Sequence, residues 1–403
     1  MAVYNYAVRD RAGKIVKGSL EGDSREAVGS KLREMGYIIL ELDQQSQLAA
    51  MGQIKIGGGV KVKDVAIFAR QFATMINAGL SLTKCLSILA EQTESDRLKD
   101  IIQQVANDVE AGQSLSDALV KHPRVFPPIF VNMVRAGETG GVLDEVLVRV
   151  ADHFEAELAL KGKIKSAMTY PIAMGVLVLI ILAAMMIFVV PVFEGMFSSM
   201  GGELPFITQV LVDISDFVSG IGGLFLVVGM VAGVFAFRWW KSTASGKLIW
   251  DGAKLRMPVF GGMIRKIALA KFTRTFGTLV SAGVPILGAL DIVADTSGNE
   301  VIAQAVKKTR SAIKEGETIA KPLSESKVFP SMLVQMIAVG EETGALDSML
   351  NKIADFYDEE VAVAVDSLTS LIEPLMMASL GLIVGAMVIA LYMPMFQIIT
   401  LVQ

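Results

Sequence analysis

The sequence predicts a mainly α-helical membrane protein with two homologous cytoplasmic helical bundles, three transmembrane helices and a small α+β unit at its N-terminus. Three observations support this fold class. Hydrophobic residues make up 53% of the 403 residues and charged residues 19%, against about 45–50% and about 25% in soluble domains. The apolar excess is concentrated in three long runs that lack ionisable residues. The chain also repeats itself with an offset of 203 to 204 residues.

The first 43 residues are predicted to form the separate α+β unit. Apolar and polar residues alternate from Tyr4 to Val8, as they do in a half-buried strand. Two more strands are predicted from Ile15 to Leu20 and from Tyr37 to Leu42, with a helix that begins at Asp23 between them. A glycine-containing linker is expected to follow this unit.

Helical periodicity dominates each copy of the repeat. In the first copy, Phe68, Phe72, Met75 and Ile76 recur at the spacing of one helix face. Glycine and proline then break the pattern at intervals that suit short helices. Each copy is therefore expected to fold into a bundle of about six helices.

The repeat itself is recognised from two long segments. Residues Phe68–Leu82 match Phe272–Ile286, and residues Phe126–Asp144 match Phe329–Asp347. The similarity continues into the first and third apolar runs, so the repeat unit consists of a helical bundle followed by its own membrane span.

Comparing the two copies also tests single residues. His153 corresponds to Phe356, which indicates an apolar face position rather than a ligand. Cys85 corresponds to Ala289, which indicates a small buried residue.

The three apolar runs are predicted to be transmembrane helices. They extend from Pro171 to Val192, from Phe217 to Phe237 and from Pro374 to Ile399, and none contains Asp, Glu, Lys, Arg or His. Each is close to the ~20 residues that a helix needs to cross the hydrocarbon core. A buried core helix of a soluble protein is the alternative, and three such runs count against it.

The distribution of basic residues predicts the orientation. Lys161, Lys163 and Lys165 precede the first span and Arg238 follows the second, whereas residues 166–237 contain no Lys or Arg. Basic residues remain on the cytoplasmic side. Both bundles and the N-terminus are therefore expected in the cytoplasm, and the C-terminus in the periplasm.

These arguments divide the chain into nine segments. They are the N-terminal unit (1–43), a linker (44–63), the first bundle (64–168), the first span (169–192), a periplasmic loop with an interfacial helix (193–216), the second span (217–237), the second bundle (238–372), the third span (373–399) and a periplasmic tail (400–403).

The sequence lacks the motifs of common enzymes. It contains two histidines and one cysteine and has no Walker A, H-E-x-x-H or G-x-S-x-G motif. We therefore expect no catalytic residues, no cofactor, no metal site and no enzymatic activity. The net charge of −4 gives no sign of nucleic-acid binding, and spans without ionisable residues count against a transporter or channel.

Two acidic clusters leave three interpretations open. Glu155 and Glu157 lie near the end of the first bundle, and Asp355, Asp358 and Glu360 are among the acidic residues at the equivalent place in the second. They could be solvated helix surface, a divalent-cation site or a contact patch for basic partners.

The sequence G-E-x-x-G-x-L-D occurs at the same place in both copies. One interpretation is structural, with glycine ending one helix and acidic side chains favouring the N-terminus of the next. The other is that this turn, presented twice, is a docking surface. The candidate partner-binding residues, which also include the arginine of a doubled F-x-R-x-F segment, are Gly137, Glu138, Asp144, Gly340, Glu341, Asp347, Arg70 and Arg274.

These doubled motifs resemble those of a known family. F-x-R-x-F followed by Ala-Gly, FP followed by G-E-x-x-G-x-L-D, the Glu373-Pro374 entry to the third span and the exit at Pro394 are similar to the type II secretion F and type IV pilus platform proteins. The resemblance covers essentially the whole chain. The stretch that begins at Val365 resembles the pilus branch more than the secretion branch.

The resemblance implies a non-enzymatic platform in the inner membrane. It implies contacts with a cytoplasmic hexameric motor ATPase, with pilin subunits and with other inner-membrane assembly proteins. It also implies self-association into a dimer or a larger oligomer within membrane lipid. The F component of a type II secretion system is the alternative function.

Overall fold

The computed structural model describes residues 2–9, 15–22, 25–34, 36–44, 59–199 and 206–401. The chain divides into two compact units, Met1–Gly59 and Val60–Gln403.

The N-terminal unit consists of a three-stranded antiparallel sheet and one helix. The elements are β1 (Ala2–Arg9), β2 (Ile15–Gly22), α1 (Arg25–Glu34) and β3 (Ile38–Gln44). β1 is the central strand and pairs with both others, with a bulge at Ala7 and Val8 in its pairing with β3. The first two predicted strands fall within β1 and β2, and the third, predicted from Tyr37, begins one residue before β3. The predicted helix start at Asp23 lies outside the described residues.

The first bundle is built from short amphipathic helices and the beginning of a long one. Its helices are α2 (Val62–Asn77), α3 (Leu82–Gln92), α4 (Asp96–Glu110), α5 (Leu115–Val120), α6 (Pro128–Gly140) and the N-terminal part of α7 (Leu143–Ala184). The predicted face of α2 is buried at Phe68 and Phe72. The ring of Phe68 packs near those of Phe72, Phe126 and Phe130. Cys85 on α3 is fully buried, as its counterpart Ala289 predicted.

α7 continues without interruption from the bundle into the first apolar run. Pro171 lies inside the helix and does not end it. A π-helical segment (Met185–Val189) follows directly, and then α8 (Val190–Ser199). The chain returns through α9 (Phe206–Ser219) and α10 (Ile221–Ser242), which are separated at Gly220.

The second bundle repeats the arrangement of the first, with one additional helix before it. The elements are α11 (Ala244–Arg256), α12 (Phe260–Ser281), α13 (Ile286–Thr296), α14 (Glu300–Lys314), α15 (Ala320–Glu325), α16 (Ser331–Thr343) and α17 (Leu346–Leu401). α12 and α17 correspond to α2 and α7. α17 is continuous from the bundle through the third apolar run.

The two bundles share one hydrophobic core. A single cluster of buried side chains contains residues of both copies, including Phe154 of α7 and Tyr357 of α17. Three helices among the described residues, α7, α10 and α17, contain stretches long and apolar enough to cross a membrane. The structure is thus mainly α-helical, with a duplicated bundle and three candidate spans, as the sequence predicted.

Candidate functional site

The repeated G-E-x-x-G-x-L-D motif forms the connection between α6 and α7 in one copy and between α16 and α17 in the other. Gly141 and Gly344 end the preceding helices in the left-handed conformation, with φ of 69° and 71°. The Val142 N–H donates back to the Gly137 carbonyl over 3.0 Å, which closes the turn. Glycine is the residue that adopts this conformation at no steric cost.

The first glycine of the motif has another role. Gly137 and Gly340 lie inside α6 and α16, one turn before the helix ends. A Cβ on Gly137 would stand 3.0 Å from the Val146 Cβ, and one on Gly340 would stand 3.0 Å from the Leu346 Cα. These glycines therefore allow two successive helices to approach closely. The prediction that a glycine of the motif ends the helix is confirmed, and the glycine that does so is the second one, Gly141 or Gly344.

The glutamate of the motif caps a short helix earlier in the chain. The Glu138 carboxylate accepts hydrogen bonds from the Leu115 N–H at 2.6 Å and the Ser116 N–H at 3.1 Å. The Glu341 carboxylate accepts hydrogen bonds from the Ile319 N–H at 2.9 Å and, at 3.4 Å, from the next N–H of the chain. These N–H groups would otherwise lack partners at the N-termini of α5 and α15, where negative charge is also favoured.

The sequence interpretation placed this glutamate at the following helix, and the structure places it at the preceding short one. The reason is tertiary: α6 packs beside α5, so its last turn brings Glu138 to the N-terminus of α5. Ser114 completes the cap by accepting a hydrogen bond from the Asp117 N–H at 3.1 Å.

The aspartate of the motif remains exposed. Asp144 lies in the first turn of α7 and Asp347 in the first turn of α17, where a carboxylate favours the helix N-terminus. Both are exposed, and neither has a hydrogen bond or ion pair to another described side chain. They are the members of the motif whose charge is available to a partner.

The arginine of the F-x-R-x-F segment joins the first helix of each bundle to its last. Arg70 on α2 contacts Asp152 at 2.5 Å and Glu155 at 2.6 Å on α7. Arg274 on α12 contacts Asp355 at 2.7 Å and Asp358 at 2.5 Å on α17. The two triads occupy equivalent positions, with aspartate in place of glutamate at one of them.

These contacts change the protonation equilibria of the triads. The hydrogen bonds that Arg70 donates to Glu155 and Asp152 raise the pKa of Arg70, and the bond accepted from Arg70 lowers the pKa of Glu155. Burial alone would lower the pKa of Arg274, but its bonds to Asp358 and Asp355 outweigh burial and raise it. Both arginines and Glu155 are therefore charged at neutral pH, and the arginines bridge helices of their own bundle.

The acidic clusters are paired with basic residues of the same chain. Besides the arginine triads, Glu157 contacts Lys161 at 2.6 Å and Glu360 contacts Lys266 at 2.5 Å. Within the ranges that the structure describes, no group of three or more His, Cys, Asp or Glu residues could hold a metal ion.

His153 lies deeper than the comparison of copies suggested. Its side chain is buried at 9% exposure, whereas the equivalent Phe356 is 42% exposed. Burial lowers the pKa of His153 to about 4, so the imidazole is neutral at pH 7. Comparing copies could not reveal this difference, because His153 is covered by the other bundle.

The helix between the first and second spans packs against both outward spans. Val212 of α9 joins Val190, Met387 and Leu391 in a small buried cluster. The Thr208 hydroxyl donates to the Ala390 carbonyl at 2.5 Å. The Ser215 hydroxyl donates to the Met186 carbonyl, within the π-helical segment, at 2.5 Å. This helix therefore ties the first span to the third.

Comparisons with known proteins agree with the duplicated architecture. A family model described as type II secretion system (T2SS), protein F matches residues 68–191 and 272–394. A second model, for the N-terminal domain of type II secretion system protein F, matches residues 1–43. Both copies of the bundle, each with part of its span, thus match one family.

Full-length relatives carry two kinds of name. The type IV pilus assembly protein PilC of Myxococcus xanthus is 45% identical over 100% of this chain and 96% of its own length. The protein of the same name from Thermus thermophilus is 43% identical over 99% of this chain and 98% of its own. The type II secretion system protein F of Vibrio cholerae is 34% identical over 98% of both chains.

Proposed function

Because the chain belongs to the type II secretion system protein F family, we propose that it is the inner-membrane platform protein of a type IV pilus assembly machine. The observation that carries this proposal is the identity of 45% and 43% to two full-length pilus assembly proteins, against 34% to a full-length secretion protein. Its three candidate spans suit a multi-pass protein of the inner membrane.

The platform is proposed to couple a cytoplasmic hexameric motor ATPase to insertion or extraction of pilin subunits. The chain itself does not hydrolyse ATP in this proposal, and the energy comes from the motor. Other inner-membrane assembly proteins and further copies of this chain complete the machine. Purified protein is expected to show no ATPase activity, and activity in the absence of the motor would contradict this.

The continuous helices supply a route for the coupling. α17 has 56 residues, which corresponds to about 84 Å at 1.5 Å per residue. Its first turns belong to the second bundle and its C-terminal half is the third span. Because no loop interrupts it, a displacement of the bundle moves the span as well. α7 connects the first bundle to its span in the same way.

Insertion of glycines between residues 162 and 168 tests this coupling. Gly162 and its neighbours are helical and lie between the bundle and the apolar run. Added glycines would loosen the helix and change its register. The inserted protein is expected to reach the membrane but to assemble no pili, and normal piliation would refute the coupling.

The cytoplasmic location of both bundles is proposed from the distribution of basic residues. Basic residues precede the first span and follow the second, and residues 166–237 contain no Lys or Arg. Because basic residues are retained on the cytoplasmic side, this distribution supports a cytoplasmic location of both bundles and a periplasmic C-terminus. Cysteine labelling from outside checks the orientation. A cysteine at Ser199 should react with an impermeant maleimide in intact spheroplasts, and one at Ser95 should not.

The docking surface is proposed at the two exposed aspartates. In the repeated motif, Gly137 and Gly340 pack against the next helix, and Glu138 and Glu341 cap a short helix. Arg70 and Arg274 hold the helices of their own bundles together. Asp144 and Asp347 remain free in equivalent places. Asp144→Lys and Asp347→Lys should therefore weaken binding of the motor ATPase, while Asp144→Asn and Asp347→Asn, which lose less of the helix N-terminal stabilisation, should weaken it with a smaller fall in melting temperature. Unchanged binding in the double variant would remove the motif from the interface.

A clean deletion strain distinguishes the pilus from the secretion function. Loss of surface pili and twitching, with normal secretion and with rescue by the wild-type gene, would support the pilus assignment. Loss of secretion with intact pili would instead identify the chain as the F component of a type II secretion system.

A further inference from the structure

A cavity lies between the two bundles, where neither copy alone would form it. Its volume is about 320 Å³, within the range of small-ligand sites. The first bundle contributes Ile129, His153 and Phe154, and the second contributes Lys271, Arg274 and Thr275. A molecule bound there would contact both copies of the repeat at once.

Two buried nitrogen atoms in the wall of this cavity have no hydrogen-bond partner. Among the described residues, Nδ1 of His153 and Nε of Arg274 are the buried side-chain nitrogen and oxygen atoms left unpaired. A buried polar group without a partner costs about 1–3 kcal/mol, and most such groups in native proteins are satisfied. Both orphaned atoms belong to residues that line this one cavity, which points to a missing partner at this place.

The charged residues around the cavity indicate the sign of the charge that this partner carries. Both acidic residues of the wall are already paired, Asp358 with Arg274 at 2.5 Å and Glu157 with Lys161 at 2.6 Å. The basic residues Arg124 and Lys271 have no ion pair among the described residues. The charge left unpaired in the wall is therefore positive.

Most of the remaining wall is apolar. Val65, Ile129, Phe154 and Leu160 of the first bundle and Ala270 of the second line it. An inorganic ion alone would leave this surface uncovered, and a purely apolar molecule would leave the nitrogen atoms unpaired. Burial of apolar area together with charge-assisted hydrogen bonds favours a molecule that carries both features.

We propose that the cavity between the two bundles binds a soluble amphipathic anion, a carboxylate or a phosphate ester with a short apolar group, whose oxygen atoms bond to His153, Arg274 and Lys271. The anion would bridge the two copies and stabilise their packing, since a ligand that binds only the folded state raises its stability. A lipid headgroup is the other source of the same chemistry. His153 lies 18 residues before the first span at Pro171, about 27 Å along α7, which favours a soluble source.

The full-length protein in nanodiscs of zwitterionic lipid is the sample for the test. Hexyl phosphate is the probe, with hexanol, hexylammonium and inorganic phosphate as comparisons of equal or smaller size. Binding is measured as the change in melting temperature and as the change in the ring signals of His153 in a ¹⁵N-histidine sample. The chain has only two histidines, so a His153→Phe spectrum assigns both.

Hexyl phosphate is expected to raise the melting temperature and to shift the His153 signals, with weaker effects from the three comparison compounds. Lys271→Gln should weaken binding about tenfold through loss of one charged contact, while Lys308→Gln, at an exposed lysine outside the cavity, should not. His153→Phe introduces the residue of the other copy. It should retain or raise the melting temperature of the free protein and reduce the shift caused by hexyl phosphate.

Three results would overturn the proposal. Equal effects of hexanol or hexylammonium would show an apolar pocket without selectivity for anions. Unchanged affinity in Lys271→Gln would place binding elsewhere. A His153 signal that moves only in nanodiscs containing phosphatidylglycerol, and not with hexyl phosphate, would identify a lipid rather than a soluble ligand.

Discussion

Replacing Glu138 by alanine should destabilise the first bundle through the short helix α5. The carboxylate accepts two backbone hydrogen bonds, of 2.6 and 3.1 Å, from the first turn of this six-residue helix. Alanine would leave both N–H groups without their partner in a partly buried place. A lost charged hydrogen bond costs about 1.5–3 kcal/mol and a lost N-cap about 0.5–2 kcal/mol, so we expect a total loss of about 1–3 kcal/mol.

The duplicated motif supplies an internal repeat of this experiment. Glu341→Ala should cause a similar loss through α15, because its carboxylate accepts the equivalent hydrogen bonds. Glu138→Gln should cost less than Glu138→Ala, since the amide oxygen can still accept one of the two bonds. Glu342→Ala removes an exposed glutamate directly beside Glu341 and is the matched control, with an expected change within about 0.5 kcal/mol.

Two measurements detect the loss of the cap, one for the whole chain and one for single backbone amides. Thermal unfolding of the full chain in mild detergent should show a lower melting temperature. Hydrogen exchange should show loss of protection of the Leu115 and Ser116 amides in Glu138→Ala. If melting and exchange stayed unchanged while binding of the motor ATPase was lost, the capping argument would be refuted, and the glutamate would belong to a docking surface.

Three further predictions concern helix packing, the arginine triads and the buried histidine. Gly137→Ala should cost about 1–3 kcal/mol of folding stability, because its Cβ would stand 3.0 Å from a side chain of the next helix. In the control Gly162→Ala the Cβ meets no atom within 4 Å, so this variant should be neutral or stabilising. Equal melting temperatures of the two variants would contradict the packing argument. Arg274→Ala should destabilise more than Arg70→Ala in denaturant unfolding, since the side chain of Arg274 is 24% exposed against 37% for Arg70, and the opposite order would contradict it. Burial lowers the pKa of His153 to about 4, while an unfolded histidine has a pKa of about 6.5. The unfolded state therefore binds the proton more readily than the folded state. About 3 kcal/mol of folding stability should be lost as pH falls from about 6.5 to about 4. His153→Phe should remove this component of the pH dependence, and an unchanged profile would refute the assignment.

The strongest features of the fold were predictable because they repeat or extend over many residues. Apolar runs of about 20 residues and a repeat of about 200 residues are signals that single substitutions do not obscure. The face of α2 was predictable for the same reason, and Phe68 and Phe72 are buried as expected.

The contacts of the candidate site were less predictable, because they join residues far apart in the chain. Glu138 reaches Leu115, 23 residues earlier, and no local pattern indicates that α6 brings it there. Arg70 reaches Glu155 across 85 residues. A stronger signal did exist for the triads, since arginine and both carboxylates recur in the second copy, but the sequence alone did not connect them.

His153 shows a limit of comparing the two copies. The comparison identifies what the copies have in common, such as burial of Cys85 and Ala289. It says nothing about the surface where one copy meets the other, because that surface differs by necessity between them. The buried imidazole and the cavity beside it lie on that surface.

The π-helical segment makes the two outward spans inequivalent although their sequences align. Residues 185–189 of the first span bond with the wider π spacing, while the aligned residues 388–392 of the third are ordinary α-helix. Beyond this segment the first span is turned about its axis relative to its counterpart. A neighbour in the bilayer therefore meets two different side-chain surfaces on one molecule. A partner with two identical binding sites could contact both bundles in the same way. Within the membrane, the same side-chain surface could bind the first span or the third, but not both.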